Sequence, residues 1–128
     1  MAATLLVDSS AWIAYFNGEE NPLIEMGLAA QAIQVCPLSV TEILGNILAA
    51  KERSQLEAFF SKIPSPQISA AHYQKAGKLK ADLAAKNFFI SARDAHVLQC
   101  ALDIKGMLVT RDSFLLELQP HTGIKVVL

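Results

Sequence analysis

Charged side chains are scarce in this sequence, and the charges that are present nearly cancel. Only 18% of the 128 residues are charged, and 11 basic residues against 12 acidic residues give a formal net charge of −1. No net positive field therefore marks the chain as a nucleic-acid binder, so any such binding has to come from local basic clusters or from a metal. Hydrophobic residues make up 52% of the chain, which is typical of a sheet covered by helices on both faces.

Long apolar runs, an N-terminal targeting segment and paired cysteines are also missing. No apolar run approaches the roughly 18 residues needed to cross a bilayer. The start of the chain has no basic segment and carries Asp8 early, which argues against a signal peptide. Cys36 and Cys100 form no CxxC pair and are interpreted as small buried hydrophobes with free thiols. These features predict a cytoplasmic protein without a membrane partner.

Strand-like and helix-like segments alternate along the chain. Strands are predicted over 4–8, 32–36, 107–110 and 125–128, with a weak candidate over 66–69. Helices are predicted over 10–17, 22–31, 39–50, 54–63, 70–86, 92–104 and 113–118. Such alternation produces parallel strands joined by right-handed crossovers. We therefore predict a single domain over 1–128 of the α/β class, a three-layer α/β/α fold around a central, mainly parallel sheet of four to five strands.

Four acidic residues stand where the predicted strands and helices meet. Asp8 in "LLVDSSAWIAYF" and Asp112 in "MLVTRDSF" follow apolar strands. Glu42 in "PLSVTEILGNI" and Asp94 in "SARDAHVLQCAL" are predicted to lie in the first turns of their helices. In open parallel sheets the functional crevice lies beyond the carboxyl ends of the strands. The pattern therefore predicts that these acids line that crevice.

Helix capping explains each of these acids when it is taken alone. Asp8 and Asp112 are typical N-cap residues, a role that contributes about 0.5–2 kcal/mol. Ser39 and Ser91 stand three residues before the other two acids, which is the spacing of a capping box. For any single position, capping is therefore the favoured interpretation.

Taken together, the four acids favour a metal site. Capping does not explain why junctions at one edge repeatedly carry carboxylates, whereas the remaining acids lie in turns or at polar helix positions. Clustered carboxylates repel one another, and a hard divalent cation relieves that repulsion. A site made only of oxygens suits Mg²⁺ or Mn²⁺, whereas zinc prefers Cys or His ligands.

The four quoted segments, in this order and spacing, resemble the PIN domain, and in particular the small VapC-like toxins of prokaryotic toxin–antitoxin pairs. The resemblance covers essentially the whole chain. It implies a metal-dependent endoribonuclease that hydrolyses RNA phosphodiester bonds with a metal-activated water. It also implies that the catalytic residues and Mg²⁺ or Mn²⁺ ligands are Asp8, Glu42, Asp94 and Asp112.

Two hydroxyl residues and one substitution refine this predicted site. Ser10 matches a position at which the family commonly has a hydroxyl, and Thr110 is taken as a second supporting polar residue. Phe114 stands where many relatives carry a further acid, two residues beyond Asp112. For this reason we do not predict a two-metal mechanism.

Basic residues near the acids are the candidates for contacts with RNA. Arg93 and Arg111 are the chain neighbours of Asp94 and Asp112, and Lys86 lies at the end of the long helix. For Lys86, a solvated helix face explains the charge equally well. The resemblance further implies a cognate antitoxin protein as partner and a homodimer.

Two other functions are compatible with this fold class. A catalytically inactive PIN-like interaction module would explain the missing acid at Phe114. A phospho-accepting receiver-like domain would need paired acids near the first strand and a lysine after a late strand, and the sequence has neither. The three histidines, His72, His96 and His121, are predicted to be satisfied or exposed and to have no role in catalysis.

Overall fold

The centre of the molecule is a sheet of four parallel strands. The structure is a computed structural model and describes residues 3–128. Within that range the strands are β1 (Leu5–Val7), β2 (Ile33–Val35), β3 (Met107–Val109) and β4 (Val126–Val127). Their order is β2-β1-β3-β4, and Val7 lies opposite both Val35 and Val109. The predicted α/β fold with a mainly parallel sheet is confirmed.

Helices cover both faces of this sheet. In the described part of the chain they are α1 (Ser9–Phe16), α2 (Pro22–Ala29), α3 (Pro37–Leu44), α4 (Ala50–Ser61), α5 (Ala70–Ala84), α6 (Ala92–Asp103), α7 (Ser113–Glu117) and α8 (Gln119–Thr122). Leu6 belongs to an apolar cluster with α5, α6 and α7, whereas Leu5 and Val7 belong to a second cluster with α1 to α4. None of the helices within residues 3–128 is long and apolar enough to cross a membrane.

The first strand shows why the sequence is apolar at consecutive positions. Successive side chains of a strand point to opposite faces. Leu5, Leu6 and Val7 are all buried because helices pack on both sides. At Gly27, α2 approaches the sheet closely, since a Cβ atom there would lie 2.8 Å from side-chain atoms of Leu5 and Ile33.

Both outer strands of the sheet donate hydrogen bonds to groups outside it. On β2, the Val35 amide donates to the carbonyl oxygen of Pro64 at 2.9 Å. On β4, the Val126 amide donates to the side-chain oxygen of Gln119 at 2.7 Å. Unpaired edge donors invite pairing with another strand, and these two donors are already satisfied within the chain.

The helix predicted over 39–50 is wrong in its bounds. It begins two residues earlier, at Pro37, with Cys36 as the N-cap. Proline suits the first helical position because no hydrogen bond is required of its nitrogen there. Ser39 is therefore inside the helix and not its N-cap, and Glu42 lies in the second turn and not in the first.

The weak strand predicted over 66–69 is also wrong. Residues 64–69 have no regular structure. Pro64 and Pro66 lack the amide hydrogens that a ladder needs, and only the Pro64 carbonyl is used by the neighbouring strand. The short helix α8 was not predicted, because its four residues are too few to show a helical period.

Candidate functional site

The carboxyl ends of β1, β2 and β3 lie level with one another at one edge of the sheet. The paired positions end at Val7, Val35 and Val109, and the next residues in the chain turn towards the opposite face, which α6 covers. Asp8 and Thr110 are two of these residues, and both are buried. The parallel register therefore determines where the polar site begins.

The guanidinium of Arg93 joins three of the four predicted acids. Its Nη1 donates to Asp94 Oδ1 at 2.9 Å, and its Nε donates to both carboxylate oxygens of Glu42 at 3.0 Å. Its Nη2 donates to Asp8 Oδ1. Acids that lie far apart along the chain, directly after β1, on α3 and on α6, thus meet around the guanidinium of Arg93.

Buried hydroxyls connect the remaining acid to this group. Thr110 Oγ1 donates to Asp8 Oδ2 at 3.1 Å and accepts a hydrogen bond from the Asp112 amide at 3.1 Å. Ser10 Oγ lies 3.2 Å from Thr110 Oγ1 and accepts from the Arg111 amide at 3.0 Å. The two predicted supporting residues therefore lie between the first strand and the segment that carries Asp112.

Asp112 is at the same edge of the sheet but outside the Arg93 cluster. Its Oδ1 accepts from the Phe114 amide at 3.0 Å and caps α7. Phe114 is half-buried and packs against the apolar cluster of α5 and α6, so this position contributes to the core.

Capping accompanies the convergence of the acids. Asp8 Oδ1 accepts from the Ser9 amide at 2.8 Å, and Ser91 Oγ accepts from the Asp94 amide at 3.0 Å. The predicted caps at Asp8, Asp112 and Ser91 are confirmed. The capping role of Asp8 therefore does not compete with its place in the cluster.

Ser9 is a site residue that the sequence did not single out. Its hydroxyl accepts from Arg93 Nη2 at 2.8 Å and donates to Glu42 Oε1 at 3.2 Å. Its position directly after the first acid, at the first residue of α1, was the available signal. Ser10, the predicted residue, contacts Thr110 instead.

The electrostatics of the site fit a hard divalent cation. Asp8 is only 1% exposed, and the three carboxylates around the single guanidinium of Arg93 leave a formal charge of −2. Although burial opposes its charge, the charge of Asp8 and hydrogen bonds to Asp94 and Asp8 hold the pKa of Arg93 above its ordinary value. Oxygen donors around an uncompensated negative charge are what Mg²⁺ and Mn²⁺ select.

The other basic candidates lie further from the acids. Arg111 forms an ion pair with Glu19 at 2.9 Å, and both side chains are largely exposed. Lys86 is exposed in the turn that follows α5. A contact of either residue with RNA stays a prediction.

Two of the histidines are buried next to the site, which the sequence did not indicate. His72 Nδ1 lies 2.7 Å from Asp103 Oδ2, and His72 Nε2 lies 2.8 Å from His96 Nδ1. Both rings are satisfied, as predicted, but they are satisfied by each other across α5 and α6. Partners 24 and 31 residues apart leave no local signal in the sequence.

Asp103→Asn is expected to lower the free energy of unfolding at pH 7 by about 2 kcal/mol. Burial opposes its charge, but hydrogen bonds from His72 and Gln99 hold the pKa of Asp103 below its ordinary value of 3.8. A carboxylate with a lowered pKa in the folded state stabilises above pH 3.8, and this stabilisation is lost as the pH falls further. Urea unfolding at pH 7 and below pH 3.8 measures both effects.

The matched control is Asp82→Asn, whose carboxylate pairs with Lys78 on the exposed face of α5. Its expected effect is below about 0.5 kcal/mol at either pH. An equal loss for the two variants at pH 7, or a loss at Asp103 that does not shrink as the pH falls below 3.8, would contradict the assignment.

Comparison with protein families gives one match, to the PIN domain, over residues 5–118. This range includes all four strand-end acids. The match also excludes the receiver-like alternative. A search of curated proteins gives no match.

Solved structures share the whole fold at low sequence identity. A chain of the crystal structure of FitAcB from Neisseria gonorrhoeae has a TM-score of 0.66 and 16% identity, with 98% of this chain and 97% of that chain covered. A chain of the structure of FitAB bound to the IR36 DNA fragment has a TM-score of 0.69 and 13% identity, with 97% and 94% covered.

Proposed function

The chain belongs to the PIN domain family, and from this premise we propose that it is a metal-dependent endoribonuclease that hydrolyses RNA phosphodiester bonds. PIN domains are generally nucleases and typically use divalent metal ions. The observation that supports the proposal most is the convergence of Asp8, Glu42 and Asp94 on one guanidinium at the carboxyl edge of the sheet.

In this proposal the role of each acid follows from its position in the site. Asp8, Asp94 and Asp112 hold Mg²⁺ or Mn²⁺, directly or through water, and Glu42 binds at the edge of the site or orients the attacking water. The bound ion supplies an activated water and neutralises charge on the phosphate. The hydrogen bonds of Thr110 and Ser10 hold the Asp8 carboxylate beside the segment that carries Asp112.

Arg93 gives the site its own positive group. Its side chain is 27% exposed, so the guanidinium reaches the surface of the cluster as well as Asp8. We assign it two tasks: it balances the acids when no cation is bound, and it contacts the phosphate of bound RNA. Such contacts weaken with increasing salt.

The VapC-like resemblance leads us to propose a toxin with a cognate antitoxin. A cavity of about 540 Å³ lies beside Arg93 and is lined largely by apolar groups of α3, α5 and α6, including Leu38, Tyr73 and Ala76. An antitoxin segment with apolar side chains fits this cavity. For the proposed homodimer, the exposed side chains of Ile13, Phe16 and Met26 provide an apolar surface on α1 and α2.

An inactive interaction module is the second candidate function. It is favoured by the ion pairs of Arg93, which already neutralise part of the acid cluster, and by the core position of Phe114. This candidate predicts binding of a partner protein without any turnover of RNA.

Cleavage assays distinguish the two candidates. Purified chain is incubated with a mixed RNA pool, and in parallel with DNA of the same length, in Mg²⁺, Mn²⁺ or a chelator. We expect cleavage of RNA with either metal, none with the chelator, and none by Asp94→Asn, while Asp82→Asn retains activity. RNA ends are then sequenced after controlled expression of Asp94→Asn and of Asp82→Asn. Equal growth of the two cultures and identical RNA ends would contradict the proposed ribonuclease.

A further inference from the structure

Two thiols and an imidazole meet in the interior on the α6 side of the sheet. The Sγ atoms of Cys36 and Cys100 lie 3.4 Å apart, and these sulfurs and a ring nitrogen of His96 all lie within 4.8 Å of one another. All three residues are buried. Among residues 3–128 this is the one group of three or more Cys, His, Asp or Glu residues with so tight a set of ligand atoms.

The sequence brings these groups together through two elements. Cys36 directly follows β2 and is the N-cap of α3. His96 and Cys100 are four residues apart on α6, so they lie on the same face of that helix. The cluster therefore connects the beginning of α3 to the middle of α6.

A hydrogen-bond chain fixes the imidazole from behind. His72 Nδ1 lies 2.7 Å from Asp103 Oδ2, and His72 Nε2 lies 2.8 Å from His96 Nδ1. When neutral His72 donates its Nδ1 proton to Asp103, its Nε2 accepts the Nδ1 proton of His96. In this arrangement His96 keeps a free lone pair on Nε2. A hydrogen-bond acceptor behind a ligating histidine, most often a carboxylate, a backbone carbonyl or water, orients such a ligand, and here the Asp103 carboxylate acts through His72.

The two thiols also differ in their acidity. A hydrogen bond from Cys100 and backbone amides of α3 lower the pKa of Cys36 despite its burial, whereas the pKa of Cys100 is raised. Cys36 is therefore the more acidic of the two thiols.

We propose that Cys36, His96 and Cys100 form a Zn²⁺ site that is separate from the acid cluster. Zinc prefers sulfur and nitrogen ligands in a tetrahedron, and zinc–sulfur bonds of about 2.3 Å place two sulfurs about 3.8 Å apart. The observed 3.4 Å has to widen by only a few tenths of an ångström. The cavity of about 540 Å³ reaches His96 but neither cysteine, so the ion and a fourth ligand such as water would approach from the His96 side.

The location suggests what the ion does. α3 carries Glu42 and α6 carries Arg93 and Asp94, so an ion that links Cys36 to Cys100 fixes the two helices that bring these residues together. Zinc at this position is structural. The proposal does not depend on whether the acid cluster cleaves RNA.

Zinc binding to the reduced, chelator-treated chain tests the proposal. Competition with a chromophoric chelator is expected to give one tightly bound Zn²⁺ per chain, with affinity lowered at least about 100-fold in Cys36→Ala and Cys100→Ala, and about 10–100-fold in His72→Asn. Glu25→Gln is the matched control and is expected to bind zinc as the wild type does, because its exposed carboxylate on α2 hydrogen-bonds Tyr15 and takes no part in either cluster.

Two measurements on the wild type keep the test decisive if a cysteine variant fails to fold. Co²⁺ in place of Zn²⁺ is expected to give a thiolate-to-cobalt charge-transfer band, and Zn²⁺ is expected to protect both thiols from a thiol reagent. The proposal is overturned if the thiols stay reactive in Zn²⁺, if no charge-transfer band appears, or if a Cys36–Cys100 disulfide forms in air while the reduced chain binds no zinc.

Discussion

Asp8→Asn is expected to lower the rate of RNA cleavage by more than about 100-fold, since replacing even the hydrogen-bond partners of a metal ligand costs about 10–100-fold. Asp8 is the most deeply buried of the four acids, and it contacts Arg93, Thr110 and the amide of Ser9. Asparagine has the same shape but lacks the negative charge that attracts a divalent cation. The rate is measured on a labelled RNA in saturating Mn²⁺.

The same substitution is expected to leave the fold intact. Asparagine caps helices as well as aspartate does, so its Oδ1 continues to accept from the Ser9 amide. Circular dichroism and thermal unfolding check this point. Glu25→Gln is the matched control, because that carboxylate is exposed and accepts a hydrogen bond from Tyr15 away from the site. Wild-type cleavage by Asp8→Asn would show that Asp8 only caps α1.

Arg93→Met is expected to make the stability of the chain depend on divalent cations. Without metal, the substitution leaves the buried Asp8 and its neighbours Glu42 and Asp94 without a counter-charge. Removing one partner of a buried ion pair costs about 3–5 kcal/mol. Because Arg93 is partly exposed, we expect its substitution to lower the free energy of unfolding by about 3 kcal/mol. Mg²⁺ or Mn²⁺ is expected to restore most of this loss. Urea unfolding in chelator and in Mn²⁺ gives both values.

Arg111→Gln is the control for this measurement. It removes the same charge from an exposed ion pair with Glu19, so its expected effect is within about 1 kcal/mol and does not depend on metal. An equal loss of unfolding free energy in chelator and in Mn²⁺ would contradict the idea that the Arg93 guanidinium balances the acids in place of a bound metal ion.

The alternation of apolar runs and helical periods was enough to predict the sheet and the strand-end position of Asp8. Because helices cover both faces of the sheet, a short run of consecutive apolar residues marks a buried strand, and the run ends where the strand ends. Polar residues that follow such strands must then emerge at one edge. This physical reason explains why the sequence placed Asp8 at the carboxyl end of the first strand.

The contacts of Arg93 could not be predicted in the same way. They depend on how α6 is rotated against β1 and α3, and this rotation is set by packing between residues 51 and 85 positions apart. The proximity of Cys36 and Cys100 has the same origin, since 64 residues separate them. The prediction that Glu42 lies in the first turn of its helix failed for a local reason. Because α3 begins at Pro37 and not after Ser39, Glu42 lies in the second turn.

The satisfied outward donors of β2 and β4 limit how two copies of the chain can assemble. Because Pro64 and Gln119 occupy the Val35 and Val126 amides, a second copy cannot extend the sheet into a continuous eight-stranded one without first displacing these groups. Any homodimer is therefore expected to form through helix-to-helix contacts. Each copy would then keep its own separate four-stranded sheet and its own four site acids, Asp8, Glu42, Asp94 and Asp112.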